Sequence, residues 1–292
     1  MASRTPRRPP DDQRVGAGLV AARARLKLAG IPTAWLDAEV LLAHTLGTTR
    51  EHLLAHPEDR MTAREARSYA ALVNRRAKHV PIAYLIGTRE FYGMSLTVSP
   101  AVLIPRPETE LLVELAVNWL AAHPGRHRII DLGTGSGAIA IAIARRISAA
   151  RIVAIDQDQR TLAVARRNIV RQRVAYRVRL LKSDLLTRAP VCDLLVANLP
   201  YLSAARRRAW QRDLRYEPIR ALDGGRDGLD LIRRTLEQAP AKVQPSGALF
   251  LECDPGQPRR ITALALRQWP LAAVRVHRDL AGRDRVVEIQ LP

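Results

Sequence analysis

Aromatic side chains are scarce in this chain of 292 residues, with two phenylalanines, six tyrosines and four tryptophans. Any core must therefore be built from Ala, Val, Leu and Ile, and a hydrophobic fraction of 47% is enough to fill one large domain and one small one. Cysteine is rarer still. Cys192 and Cys253 each lie in or beside an apolar, strand-like run without the paired spacing of metal ligands, which excludes a disulfide framework and a zinc site and predicts buried, reduced thiols. No apolar run approaches the roughly 20 residues of a membrane span, and none follows the Arg-rich start, Met1 to Arg14, to make a signal peptide. A soluble, monomeric, cytoplasmic protein is expected.

Lysine is also rare, at Lys27, Lys78, Lys182 and Lys242, so 43 arginines carry nearly all the positive charge. A formal charge of +19 points to an acidic partner, whether nucleic acid, a ribosomal complex or an acidic protein. The arginines are spread along the whole chain, however, which reads as compositional bias. A cluster such as Arg206, Arg207 and Arg208 is more often a solvated helix face than a binding site. No stable nucleic-acid partner is expected on this ground.

Residues 1–14 hold Pro6, Arg7, Arg8, Pro9 and Pro10 without apolar periodicity, the composition of a disordered basic tail. From Val15, Leu19, Ala22 and Leu26 recur on one helical face, and Gly30 can end that helix. A second helix fits Leu36 to Leu46, closed by Gly47. Thr62 and Glu65 form a capping-box pattern, opening a helix that ends in the cations Arg75, Arg76, Lys78 and His79. Residues 15–85 thus read as a small helical domain. Residues 86–105 change to Phe91, Tyr92, Leu96, Val98, Val102 and Ile104 around Gly93 and Pro100, a hairpin bridging two domains.

From 106 to 292 strands alternate with helices: Arg128 to Leu132, a helix from Ala138, Arg151 to Ile155, a helix from Arg160, Val178 to Leu181, and Asp193 to Ala197. This is an α/β pattern, a Rossmann-like parallel sheet with helices on both faces. Val274 to His277 and Arg285 to Gln290, joined across Gly282, predict an antiparallel edge hairpin.

The strand ending Asp131-Leu132 runs into Gly133-Thr134-Gly135-Ser136-Gly137 and then a helix, where doubly wound sheets bind ligands. Glycines let the backbone approach a nucleotide-like ligand, and the absence of a following lysine excludes a Walker loop. Asp156 ends the next strand, 23 positions after Gly133, where a carboxylate can accept from both ribose hydroxyls. That arrangement serves a dinucleotide as well as S-adenosylmethionine, and Asp156 could instead cap the helix before Gln159. Asp184 could meet an adenine amino group with Leu185 on the ring, or form a plain turn.

The deciding feature is Asn198-Leu199-Pro200-Tyr201, directly after an apolar strand. Strands often end in Asn and Pro for structural reasons alone, but coincidence with the glycine loop favours chemistry. A planar amide or aryl amine nitrogen is a poor nucleophile. The Asn198 side-chain oxygen and the Leu199 carbonyl can together accept both hydrogens of a substrate NH2. Pro200 would fix those acceptors, and Tyr201 would pack on the flat substrate group. Displacement at a sulfonium carbon needs orientation more than a strong base, so no general base and no metal are expected.

With these motifs assembled, the chain resembles the PrmC/HemK family of release-factor glutamine N5-methyltransferases over nearly its full length. The resemblance is carried by Gly30-Ile31, Leu36 to Glu39, Pro81 to Tyr84, Arg89 to Gly93, Ile104 to Glu110, the glycine loop, Asn198 to Tyr201, Glu217-Pro218, Ala221 to Gly225, Asp227-Gly228 and Asp279 to Arg285. It implies a seven-stranded methyltransferase sheet with S-adenosylmethionine as cofactor and S-adenosylhomocysteine as product. It further implies methylation of the glutamine in the Gly-Gly-Gln motif of class I peptide-chain release factors, with residues 15–85 helping to dock that substrate and Arg106 to Glu110 near the cofactor. Leu199 stands where Pro is common, and Glu252-Cys253-Asp254 replaces a more usual acidic-apolar-Gly ending.

Three rival readings stand beside this one. A sister enzyme could methylate a glutamine of a ribosomal protein with the same catalysis. An adenine-N6 methyltransferase of DNA or RNA would also present an NH2 group to an Asn-x-Pro-aromatic site, although no base-recognition domain is visible. A cofactor-binding scaffold holding RNA without catalysis would have no need of an intact Asn198 and Tyr201.

Overall fold

A computed structural model describes residues 13–125, 127–205 and 212–292. The first twelve residues of the basic tail and the Arg206 to Arg208 cluster lie outside the described residues. The chain divides into two compact units between Ile86 and Gly87.

The first unit is helical: α1 (Val15–Leu28), α2 (Ala34–Leu46), α3 (Arg50–Ala55), α4 (Ala63–Arg76) and α5 (Ile82–Ile86). Val15, Leu19, Ala22 and Leu26 form the buried stripe of α1 that their spacing predicts. The capping box of α4 is complete, with Glu65 N–H donating to Thr62 Oγ1 at 3.2 Å and Thr62 N–H to Glu65 Oε2 at 2.7 Å. Helix α2 begins two residues earlier than its apolar pattern suggests. Its core face includes Asp37, buried and held by Arg76 Nε at 2.7 Å.

The second unit opens with the hairpin β1 (Thr88–Phe91) and β2 (Met94–Thr97). This hairpin is not a free bridge. Phe91, Met94 and Leu96 enter the core of the second unit, and Asn168 Oδ1 accepts from the Thr97 N–H at 2.7 Å while its Nδ2 donates to the Thr97 carbonyl at 2.9 Å.

The main sheet has β3 (Arg128–Leu132), β4 (Arg151–Asp156), β5 (Val178–Lys182), β6 (Cys192–Ala197), β7 (Val243–Glu252), β8 (Ala273–Arg278) and β9 (Asp284–Gln290), in the order β5-β4-β3-β6-β7-β9-β8. Strands β3 to β7 pair in parallel, while β9 runs antiparallel to both β7 and β8. Alternate strand residues feed two cores, Ile129, Leu194 and Phe250 on one face and Ile130, Leu195 and Leu249 on the other. Both faces are therefore covered, by α6 (Glu110–Ala122), α7 (Ala138–Arg146) and α8 (Gln159–Arg171) on one side and α9 (Asp230–Gln238) and α10 (Pro258–Gln268) on the other. Strand order reverses between β3 and β6, which makes their carboxyl ends the place for a ligand. Cys192 and Cys253 are free and buried at the two ends of this core, and desolvation pushes each thiol up to about 12.

Candidate active site

Gly133 to Gly137 connect β3 to α7, with Gly133 at φ +76°. The Gly133 and Thr134 N–H groups both donate to the Ile155 carbonyl at 2.9 Å, fastening the loop to β4. Beneath it, the fully buried Asp131 accepts from the Thr134 hydroxyl at 2.7 Å and the Ala140 N–H at 3.1 Å. Desolvation outweighs those two bonds and pushes its carboxyl up to about 6.

Asp156 sits at the tip of β4. Its Oδ2 accepts from the Gly135 N–H at 3.3 Å and its Oδ1 from the Asp158 N–H at 3.0 Å. Desolvation raises its pKa, against those bonds and Arg220. The helix-cap role open to Asp156 is filled by Asp158, whose Oδ1 accepts from the N–H groups of Arg160 at 2.5 Å and Thr161 at 3.4 Å. Asp184 follows β5 and pairs with Arg234 at 2.6 Å while also starting a turn through Thr187 N–H. Its neighbour Leu185 is buried with φ +46°.

Ten of the residues singled out by the sequence line one open cleft: Gly133, Thr134, Gly135, Ser136, Asp156, Asp184, Leu185, Asn198, Leu199 and Pro200. Gly137 and Tyr201 do not line it. Gly137 precedes the first residue of α7, and the Tyr201 hydroxyl donates to Glu252 Oε1 at 3.2 Å.

Asn198 Nδ2 donates to Thr109 Oγ1 at 3.0 Å. Thr109 ends the 3₁₀ turn Pro107–Thr109, directly before α6, and also lines the cleft. Leu199 is buried, and a Cβ placed on Gly133 would meet its Cδ2 at 3.1 Å, so the glycine loop and the tetrapeptide touch. The backbone of Pro200 and Tyr201 is gripped from the other side. A Cβ on Gly224 would lie 2.8 Å from the Pro200 carbonyl oxygen, one on Gly228 would collide with the Tyr201 carbonyl, and Gln257 Nε2 donates to that same carbonyl at 2.9 Å.

Several of these parts carry no chemical signature of their own in the sequence. Glu217 is buried, accepts from the Ile104 N–H at 3.0 Å and pairs with Arg106, holding the Ile104 to Arg106 segment at the cleft. Glu252 is buried at the end of β7, where desolvation pushes it up to about 7 against the Thr109 and Tyr201 hydroxyls and Arg285. The motif signal was present in Ile104 to Glu110, Glu217-Pro218 and Glu252 to Asp254. The pairings span 51 to 113 positions and are invisible along the chain.

The model of the PrmC N-terminal domain matches residues 19–87. A release factor glutamine methyltransferase of Bordetella pertussis is 42% identical over 260 residues, spanning 88% of this chain and 94% of the relative. This chain belongs to the release factor glutamine methyltransferase family. Another member of that family, from Cereibacter sphaeroides, is 38% identical and spans 96% of this chain and 99% of its own. The family model of the ribosomal protein L11 methyltransferase matches residues 112–201, the stretch from α6 through the glycine loop to the tetrapeptide. Among solved structures, a methyltransferase from Pyrococcus furiosus superposes with TM-score 0.52 at 20% identity, covering 74% of this chain and 97% of that one. The Thermus thermophilus 16S rRNA N2 G1207 methyltransferase, in complex with AdoMet and guanosine, gives TM-score 0.51 at 19% identity, covering 70% and 50%. These two likenesses establish the methyltransferase fold.

Proposed function

We propose that the chain transfers the methyl group of S-adenosylmethionine to the side-chain amide nitrogen, N5, of the glutamine in the Gly-Gly-Gln motif of class I peptide-chain release factors. The observation that carries this reading is the orientation of Asn198. Its Nδ2 is committed to Thr109 at 3.0 Å, and the opposite arm of its planar amide is the acceptor Oδ1, on a residue that lines the cleft. Family membership at 42% identity over most of both chains supports the substrate.

The residues present fit the cofactor. Gly133 has left-handed backbone and little room for a Cβ, which would press on Leu199 Cδ2 at 3.1 Å, Asp156 offers a carboxylate at the strand tip, and Leu185 is a buried apolar wall nearby. S-adenosylmethionine supplies an electrophilic methyl carbon on a sulfonium. The loop residues Gly133, Thr134, Gly135, Ser136 and Gly137 would hold its amino-acid part near the amino end of α7, Asp156 the ribose hydroxyls, and Asp184 with Leu185 the adenine. Asn198 Oδ1 and the Leu199 carbonyl accept the two N–H hydrogens of the substrate carboxamide, which fixes the nitrogen and its lone pair in line. Pro200 stiffens the turn, and Tyr201 borders the flat group. The methylated amide then releases its proton to water, so no side chain need act as base. The protein is assigned to the cytoplasm as a monomer, without a metal.

Incubation with methyl-labelled S-adenosylmethionine tests the reading. Label should enter an intact release factor and not its Gln-to-Ala loop variant. Labelling of a ribosomal protein instead, a reading that the match at residues 112–201 keeps open, or of nucleic acid alone, would displace it.

A further inference from the structure

Gln257 stands at the N-cap position of α10, yet its side chain does not cap the helix. It is 7% exposed, lies outside the lining of the cleft and takes no part in the transfer step above. Its carboxamide instead joins three segments. Nε2 donates to the Tyr201 carbonyl at 2.9 Å and to the Gly228 carbonyl at 3.2 Å, and Oε1 accepts from the Asp254 N–H at 2.9 Å. Tyr201 closes the tetrapeptide, Gly228 belongs to the loop after the 3₁₀ turn Ile219–Ala221, and Asp254 follows β7.

We infer that Gln257 is a positioning residue: by holding the Tyr201 main chain it fixes the turn that aims the Asn198 side-chain oxygen and the Leu199 carbonyl at the substrate nitrogen. The inference rests on the function proposed above. Its logic is donor and acceptor counting. Two main-chain carbonyls and one N–H converge on a buried point, and a carboxamide, with two hydrogens and an oxygen, satisfies all three. A turned amide would set its oxygen against two carbonyls and its NH2 against an N–H, so the surroundings permit one orientation. An ionised carboxylate could serve only the N–H, and a thioether has no hydrogen to give. Ser, Thr, Asp and Asn are the residues preferred at an N-cap, so glutamine stands here for its reach and not for the helix.

The path from this bracket to the reacting nitrogen is short and crowded. The Tyr201 carbonyl lies two residues beyond the Leu199 carbonyl, and Pro200 removes one soft torsion between them. The chain after it is zipped to the neighbouring loop, with Leu202 N–H donating to the Leu222 carbonyl at 3.1 Å and Gly224 N–H to the Leu202 carbonyl at 3.0 Å. Gly228 has φ +78°, and a Cβ there would strike both the Tyr201 carbonyl and Gln257 Nε2. The glycines of the stretch Ala221 to Gly228, which the transfer step leaves without a role, are therefore what lets the bracket close. A shift of about 1 Å in groups that orient a reacting atom can cost about 100-fold in rate.

The experiment compares wild type, Gln257→Glu, Gln257→Met and the core variant Ile289→Ala by kcat and KM for both substrates, at a temperature well below the lowest Tm. S-adenosylmethionine affinity is measured by calorimetry and folding by thermal denaturation. Gln257→Glu keeps the shape and loses both donated hydrogens when ionised; Gln257→Met removes donors and acceptor together. Each should lose about tenfold or more in kcat, while the KM and dissociation constant for S-adenosylmethionine stay within about twofold. Ile289→Ala, a cavity in a buried core position that does not line the cleft, should lose stability and keep its kcat. A Gln257→Glu enzyme that turns over like wild type overturns the inference. So does a loss shared equally by cofactor affinity, or one matched by Ile289→Ala. If Gln257→Glu does not fold, Gln257→Met decides by the same criteria. Asn198→Ala separates the two levels: an inactive Asn198→Ala beside an unaffected Gln257→Glu removes only this inference, whereas an active Asn198→Ala removes the proposed function with it.

Discussion

The contact between Gly133 and Leu199 can be tested by a double-mutant cycle. Gly133→Ala places a methyl group on a backbone at φ +76°, a conformation that costs an L-residue about 1–2 kcal/mol. The new Cβ would also lie 3.1 Å from Leu199 Cδ2, inside the ordinary carbon contact distance of about 3.5–4.0 Å. Leu199 is buried beneath the loop and cannot yield without moving the tetrapeptide, so this contact should add on the order of 0.5–1 kcal/mol. The sum, about 2 kcal/mol, corresponds to a fall in Tm of about 4–8 °C for a domain of this size. Leu199→Ala opens the space. In that background the steric part of the cost disappears and the backbone part stays, so Gly133→Ala should then cost about 1–2 kcal/mol and no more. Thermal denaturation of the four proteins measures the cycle, and calorimetry with S-adenosylmethionine should show weaker binding for Gly133→Ala alone. A Gly133→Ala protein with wild-type Tm refutes the backbone argument, and an unchanged cost in the Leu199→Ala background refutes the contact.

Three further outcomes are expected. Asn198→Ala should lower kcat by about 100-fold or more while leaving S-adenosylmethionine affinity intact, because an acceptor aimed at the reacting nitrogen is lost; single-turnover kinetics with parallel calorimetry would expose normal transfer. Asp156→Ala should weaken cofactor binding by at least about tenfold, roughly 1.4 kcal/mol, and an unchanged dissociation constant counts against its ribose role. Asp131, raised from 3.8 to about 6 in the folded chain, binds a proton more tightly there than when unfolded. Its effect on stability is therefore most favourable below pH 3.8 and is lost as pH rises through about 6. Relative to Asp131→Asn, the wild type should lose up to about 3 kcal/mol across that window by urea denaturation, and a constant difference would contradict the burial argument.

Features written in short stretches of chain were legible without coordinates. The apolar stripe of α1, the Thr62 and Glu65 cap, the strand, glycine loop and helix around Gly133, and the Asn198 tetrapeptide each depend on residues within one or two turns of each other. Strand β7 shows where this fails. Pro245 and Gly247 interrupt its pattern, its inner half is apolar on both faces, and such a run cannot be told from a buried helix by periodicity. The helices α9 and α10 beside it are short, 9 and 11 residues, and each buries only three side chains, so their apolar pattern along the chain is brief.

What local chemistry determined, then, is the order of elements and which residues end the strands: Asp156, Asp184 and Asn198 each stand at a carboxyl edge because a polar residue follows an apolar run. Tertiary structure alone decided what those residues do. Asp158 takes the cap that Asp156 could have filled, Tyr201 gives its hydroxyl to Glu252, and Asn198 is oriented by Thr109, 89 positions away. Sheet order brings β3, β6 and β7 side by side, and a hydrogen bond has meaning only between groups about 3 Å apart in space.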